Sequence, residues 1–268
     1  MILRLLPPQL RRFWLWYAIA IGGLAIFILM PGGVAEKSRT LLHGLCAQTP
    51  THSFTFGGQL LPFDARMTGI YGGVLVTMIY LCVRGKVMRW GIPPIRIVVV
   101  LSLFVAAMAA DGFNSLFTDL GLWHPWTPSN EVRLVTGYLT GIALAVVLSW
   151  LLGSAAYRVG NREPGVESFR DLAWVLLPFV PYAIALLSGA AWLYVPLSLL
   201  LVASAWLTMS LLALSVLILA FRLDERLTRP DGLHLPGAAA AVIGLAVMLS
   251  LALGRVWLES SLGIPSTL

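Results

Sequence analysis

The chain has 268 residues, 59% hydrophobic and only 11% charged, with a mean hydropathy of +0.87 and a formal net charge of +6. A soluble domain carries about 25% charged residues, so this composition excludes a globular protein solvated by water and makes lipid the solvent for most of the chain. The basic residues sit singly or in threes between apolar stretches, not along one face, which excludes nucleic acid as a partner and fits anchoring at a membrane surface.

The first apolar span runs from Phe13 to Met30, behind Arg4, Arg11 and Arg12. It is longer than a usual signal-peptide core, so a retained helix is expected over a cleaved signal, with Trp14, Trp16 and Tyr17 as an interfacial belt. A polar stretch, Pro31 to Arg66, leads to the second span, Thr68 to Val83. Pro93-Pro94 precedes the third, Ile95 to Ala110, and the segment Asp111 to Arg133 reads as a second polar loop. The fourth span is Leu134 to Gly153. The fifth, Leu172 to about Ala190, should kink at Pro178 and Pro181. A short turn near Trp192 to Val195 leads to the sixth, Pro196 to Phe221, and the seventh is Pro236 to Trp257. The expected fold is therefore an all-α polytopic bundle of about seven transmembrane helices. With seven spans, 13 of the 18 Lys and Arg fall on the side of the amino terminus. The positive-inside rule makes that side cytoplasmic and puts both polar loops outside.

The two loops end alike. Arg66-Met67-Thr68-Gly69-Ile70-Tyr71 and Arg133-Leu134-Val135-Thr136-Gly137-Tyr138 each lead from an arginine through Thr-Gly into an apolar helix. Gly69/Gly73 and Gly137/Gly141 supply small-xxx-small faces, so the second and fourth spans are expected to touch. Two helix amino termini would then converge, with Thr68, Gly69, Thr136, Gly137 and the charges of Arg66 and Arg133 forming a site for an anionic or lipid headgroup. The alternative is that Thr-Gly only starts and packs each helix while the arginines pair with Asp64, Asp111 or Glu131. Asp111 at a helix carboxyl end would sit at the wrong end of the dipole and need Arg66 or Arg133 as a partner, or else serve as an acid at the membrane surface.

Other chemistry finds little support. Cys46 and Cys82 form no CxxC and no zinc spacing, and they do not make a disulfide scaffold. His43, His52, His124 and His234 all fall outside the spans, which disfavours a transmembrane haem or chlorophyll ligand. His43, Cys46, His52, Asp64 and Met67 have the side chains of a metal site, but their spacing fits no ligand pattern and reads as a solvated loop; no metal and no cofactor are expected. Asp111-Gly112 opens the motif of the CDP-alcohol phosphotransferases, but the Ala-Arg pair and further aspartates of that motif are missing. No nucleophile–base pair, phosphate loop or mid-span acid appears, so no catalytic residue is assigned and the reading leans away from an enzyme.

The ordered set Cys46, Ser53-Phe54, Gly58, Pro62, Arg66, Thr68-Gly69-Ile70-Tyr71, Asp111-Gly112, Asn130, Arg133 and Thr136-Gly137 resembles domain-of-unknown-function family 2085, predicted membrane proteins of bacteria and archaea. The resemblance covers about Leu41 to Trp150. It implies a histidine at position 47 and cysteines at 64 and 67, where this chain has Ala47, Asp64 and Met67. Metal or redox equipment in relatives would thus be mostly lost here, while the Arg/Thr-Gly pair, Asp111 and Asn130 persist. Three segments follow: the first helix (1–40), a family-like core (41–153) and three further spans (154–268). The expected function is a non-catalytic structural or accessory subunit of a complex in a prokaryotic cytoplasmic membrane, with lipids and other membrane subunits as partners. The alternative is binding or processing of an anionic lipid or polyprenyl-phosphate headgroup at the outer leaflet.

Overall fold

The computed structural model describes residues 14–225, 227 and 230–263. Arg4, Arg11, Arg12, Arg226 and Arg229, which weigh in the charge bias, lie outside the described residues, as do the side chains of Trp14 and Tyr17.

Helix α1 (Trp14–Leu29) is short and apolar, and α2 (Val34–Leu42) follows after a bend. A hairpin, β1 (Thr55–Phe56) with β2 (Gln59–Leu60), leads into α3 (Ala65–Val83). Its two-residue turn, Gly57-Gly58, has both φ angles positive, the geometry that matches the natural strand twist. Then come β3 (Arg89–Gly91), α4 (Ile95–Asp119), α5 (Asn130–Ala155), β4 (Asn161–Pro164), α6 (Phe169–Leu176), α7 (Phe179–Leu187), α8 (Tyr194–Ala220) and α9 (His234–Leu262). Six helical stretches, counting α6 and α7 as one, are long and apolar enough to cross a membrane; α1 is a shorter apolar helix. The chain is an all-α membrane bundle, close to the seven spans expected.

The break between α6 and α7 falls at Leu177-Pro178, where the expected kink lies. The third span departs from expectation. Asp111-Gly112-Phe113-Asn114 is helical, and α4 continues to Asp119, so the loop begins nine residues later than the turn-like sequence suggests. Asp111, Asn114 and Ser115 form a buried polar face on this extension, while Phe113, Leu116, Phe117 and Leu120 are exposed on the other side. Apolar side chains out and polar side chains in is the pattern of a helix that still faces lipid.

The polar stretch before α3 is not a solvated loop. Phe54, Phe56, Leu61 and Phe63 share a core with Leu197, Leu201 and Ala205 of α8 and Met248 of α9. The segment folds down between helices because its apolar residues outweigh its polar ones, and the polar ones are paired internally. On the opposite face β3 and β4 form a parallel ribbon. Arg89 binds Glu163 (3.0 Å) and Glu167 (2.7 Å) there, and Lys86 reaches Glu167 (3.1 Å) and Asp171 (3.3 Å).

Helices α3 and α5 run parallel and meet along the two small-xxx-small faces. A Cβ added to Gly69 would strike the backbone of Leu134, Gly137 and Tyr138; one on Gly137 would strike Arg66. Gly73 faces Tyr138, Gly141 and Ile142, and Gly141 faces Ile70 and Gly73. Each glycine thus meets the carbonyl three residues before its counterpart on the other helix, the near-symmetric close approach that side chains would forbid.

Candidate functional site

The α3–α5 contact sets two arginines side by side. Arg66 lies in the first turn of α3, whose N-cap Asp64 accepts from the Met67 amide at 2.7 Å. Arg133 lies in the first turn of α5, whose N-cap Ser129 accepts from the Val132 amide at 3.3 Å. The helix extension of α4 brings Asp111 between them. Arg66 Nη2 donates to Asp111 Oδ2 at 2.6 Å and to Ser115 Oγ at 3.3 Å. Asp111 is 1% exposed, and its Oδ1, like Arg66 Nε, is buried without a hydrogen-bond partner among the described residues.

Arg133 is 6% exposed, and the one hydrogen bond of its guanidinium among the described residues is from Nη1 to Asn130 Oδ1, at 3.0 Å. Among the described residues no carboxylate comes within ion-pair distance of it, although Asp111, Asp119 and Asp64 act on it from farther away and Arg66 repels it. Asn130 also ties the site to the preceding segment, donating to the Thr51 carbonyl at 3.3 Å. That places the turn Pro50–His52 over Arg133. Burial pulls the His52 imidazole below its ordinary value, and the charge of Arg133 adds to the effect.

Of the expected site residues, Arg66, Arg133, Asp111 and Asn130 come together. The other four stand behind them in the helix contact. Thr68 is fully buried, its hydroxyl donating to the Phe63 carbonyl (3.4 Å) and its own carbonyl accepting from Tyr182 (2.9 Å). The Thr136 hydroxyl donates to the carbonyls of Val132 (2.9 Å) and Arg133 (3.3 Å). Gly69 and Gly137 are occupied by the partner helix. The site is thus built by arginine side chains and one buried carboxylate, not by free helix amides.

Cys46 and Asp64, two of the positions singled out by the family resemblance, are in contact. Cys46 Sγ accepts from the Asp64 amide at 3.4 Å and the Gln48 amide at 3.3 Å. Burial and the Asp64 charge push its thiol up to about 12, which makes it inert as a nucleophile. His52 lies by Arg133, and His43 belongs to a different cluster. Among the described residues no three His, Cys, Asp or Glu are placed to hold a metal.

That second cluster was not anticipated. His43 is 0% exposed; its Nε2 faces Glu259 Oε2 at 2.9 Å and its Nδ1 faces Gln48 Oε1 at 3.1 Å. Arg255 pairs with Glu259 through Nε (2.7 Å) and donates to the carbonyls of His43 (2.8 Å), Cys46 and Ala47 (3.4 Å). The available signal was Arg255-x-x-x-Glu259, two opposite charges one turn apart in an apolar helix. Charges at such depth normally have a buried partner.

Residues 46–147 match the family described as "Predicted membrane protein (DUF2085)". A stretch of 100 residues is 34% identical to an uncharacterized protein of Methanocaldococcus jannaschii, covering 37% of this chain and 58% of that protein. The chain therefore spans somewhat more than half the length of that relative. No solved structure matches. The family resemblance read from Cys46 to Gly137 is thus confirmed over the residues that build the arginine site, and α6 to α9 lie beyond the match.

Proposed function

We propose that this membrane protein binds an anionic headgroup, a lipid or polyprenyl phosphate, between the entrances of α3 and α5, and does so without catalysing a reaction on it. The observation that carries the reading is Arg133, a buried guanidinium whose one side-chain partner among the described residues is the neutral Asn130. A buried charge left without a counter-ion costs several kcal/mol, of order 3–5 when a pair is broken. Asp111 is bonded to Arg66 and leaves Arg133 without a carboxylate in contact among the described residues, so an added phosphate would supply an anion and accept from Arg133. Exposed apolar side chains beside the site on α4, Phe113, Leu116 and Phe117, support contact with lipid there. The orientation expected from the charge bias would make that the outer leaflet. Cys46 is held as a thiol, the Thr68 and Thr136 hydroxyls are engaged with backbone, and the Ser115 hydroxyl accepts from Arg66, with no His placed to serve it as a base among the described residues.

Native mass spectrometry of the detergent-solubilised protein should show a retained phospholipid that is lost in Arg66→Ala/Arg133→Ala. Equal retention by the double variant would end this reading.

A role as an accessory subunit has its own support in α4, which packs extensively against α5 alone and leaves the rest of its membrane-length surface bare. Mild solubilisation should then co-purify a stoichiometric membrane partner that crosslinks to positions such as Leu103 or Val105. A monomer in every detergent would count against it.

A further inference from the structure

The tautomer of His43 is fixed by its surroundings. Both hydrogens of the Gln48 amide are used, Nε2 donating to the carbonyls of Arg39 (2.8 Å) and Pro62 (2.9 Å). The oxygen Oε1 therefore faces His43, and Nδ1 must carry a hydrogen to donate to it. Gln48 is held in this role at a left-handed φ of 55°, a conformation a non-glycine residue keeps only when its contacts demand it. The other ring nitrogen, Nε2, lies 2.9 Å from a carboxylate oxygen. Two lone pairs at that distance would repel, so a second hydrogen must lie between them. Arg255 against the other oxygen of Glu259 favours the carboxylate, which leaves that hydrogen on the imidazole.

We infer that His43 is an imidazolium in the closed structure, and that this one proton fastens α9 to the segment that roofs the arginine site. The connection is continuous in space. Glu259 and Arg255 on α9 hold His43 and the carbonyls of 43, 46 and 47; Gln48 holds Pro62, next to the entrance of α3; and the turn Pro50–His52, between those anchors, meets Asn130 beside Arg133. Loss of the proton replaces an ion pair with a repulsive contact and loosens the segment, which Arg255 and the phenylalanine core still hold. The other titratable groups packed around the pair are Arg39 on α2, Cys46 with its neighbour Asp64, and Tyr194 on α8. Burial pushes the Cys46 thiol away from ionisation, so it carries no charge of its own against the pair. A latch of this kind places control of the arginine site in a helix beyond the family-matched residues. Its effect on headgroup retention rests on the function proposed above, but the latch itself does not.

Hydrogen exchange of the full-length protein in detergent, corrected for the intrinsic pH dependence of exchange, tests the latch between about pH 5.5 and about pH 9, a range that brackets histidine titration. Amides of residues 44–62 should lose protection roughly tenfold or more as pH rises, the effect of one charge-assisted hydrogen bond. In Glu259→Gln the carboxamide can donate to a neutral Nε2, so protection should become independent of pH. Wild-type protection that does not change, or an unchanged pH response in Glu259→Gln, overturns the inference. Nitrogen chemical shifts of labelled histidine in the wild-type protein give a check that needs no variant: a neutral His43 at the lower pH also overturns it. Lipid retention measured on the same samples separates the two ideas. A working latch with no retained lipid at either pH would remove the headgroup reading alone, and retained lipid with no pH response would remove the latch alone.

Discussion

Two arginines in this protein lie near the same face of the bundle, Arg133 buried and Arg255 half-buried, and they differ in what surrounds them. Arg255 is saturated: Glu259 takes one side of its guanidinium, and three backbone carbonyls take the rest. Arg133 has Asn130 and little else. A cation with this many partners is a fastener, because removing it orphans a buried carboxylate and three carbonyls. An under-satisfied one costs stability unless something else arrives. Surroundings thus separate a fastened cation from an under-satisfied one, where the sequence pattern shows both only as arginines at the ends of apolar helices.

The largest test of that difference is stability. Arg255→Ala should destabilise the protein by about 3 kcal/mol or more, since Glu259 and His43 are left buried with one cation fewer and three carbonyls lose a donor. Thermal denaturation in one detergent would check it, and a loss under about 1 kcal/mol would show that Arg255 is not a fastener. The seam between α3 and α5 comes next. Gly141→Val puts a side chain against Ile70 and Gly73, and overpacking of this kind costs about 1–3 kcal/mol. It should separate Arg66 from Arg133 and reduce lipid retention while leaving exchange protection at Gly44 to Ala47, next to Arg255, intact. If both regions change together, they are not independent. Arg133→Met should have a smaller effect in delipidated protein, within about 1 kcal/mol of neutral or slightly stabilising, because a poorly paired buried charge is replaced by an apolar chain of similar reach. A large destabilisation would mean that Arg133 is as structural as Arg255.

The smallest expected effect is a pH dependence at His52. Its folded value lies below the ordinary 6.5 because of burial and Arg133. The unfolded state therefore binds the proton more readily, and this contribution to stability is complete above about 6.5 and declines as pH falls toward the lowered value. Arg133→Met removes the second cause and should flatten that decline, as followed by denaturation midpoints at several pH values. A bound phosphate should also flatten it, by offsetting the same charge.

Much of this architecture is legible from residue order alone. Apolar run lengths define the spans, Pro178 marks the break between α6 and α7, and the paired small-xxx-small faces identify which two helices meet. Backbone hydrogen bonding inside lipid leaves few alternatives to helix, and glycine at four-residue spacing makes one helix face close enough for contact. The echo of two loop endings pairs Arg66 with Arg133, the dipole at the end of the third span points Asp111 at an arginine, and Asn130 enters only through the family resemblance.

What residue order does not determine is depth and partnership. Asp111-Gly112 reads as a turn, yet tertiary contact with Arg66 keeps it in helix and carries α4 on to Asp119. Thr68 and Thr136 resemble ligands, but each hydroxyl donates to backbone. The stretch from Leu41 to Pro62 resembles a solvated loop, but its phenylalanines are buried against α8 and α9 with His43 closed inside. Glu259 lies 216 positions from His43, and no local periodicity links residues so far apart. Only the folding of α9 against that segment brings the two together. The physical reason is general: the cost of burying polar groups is set by which partners the three-dimensional structure supplies, and a sequence shows the groups without showing their partners.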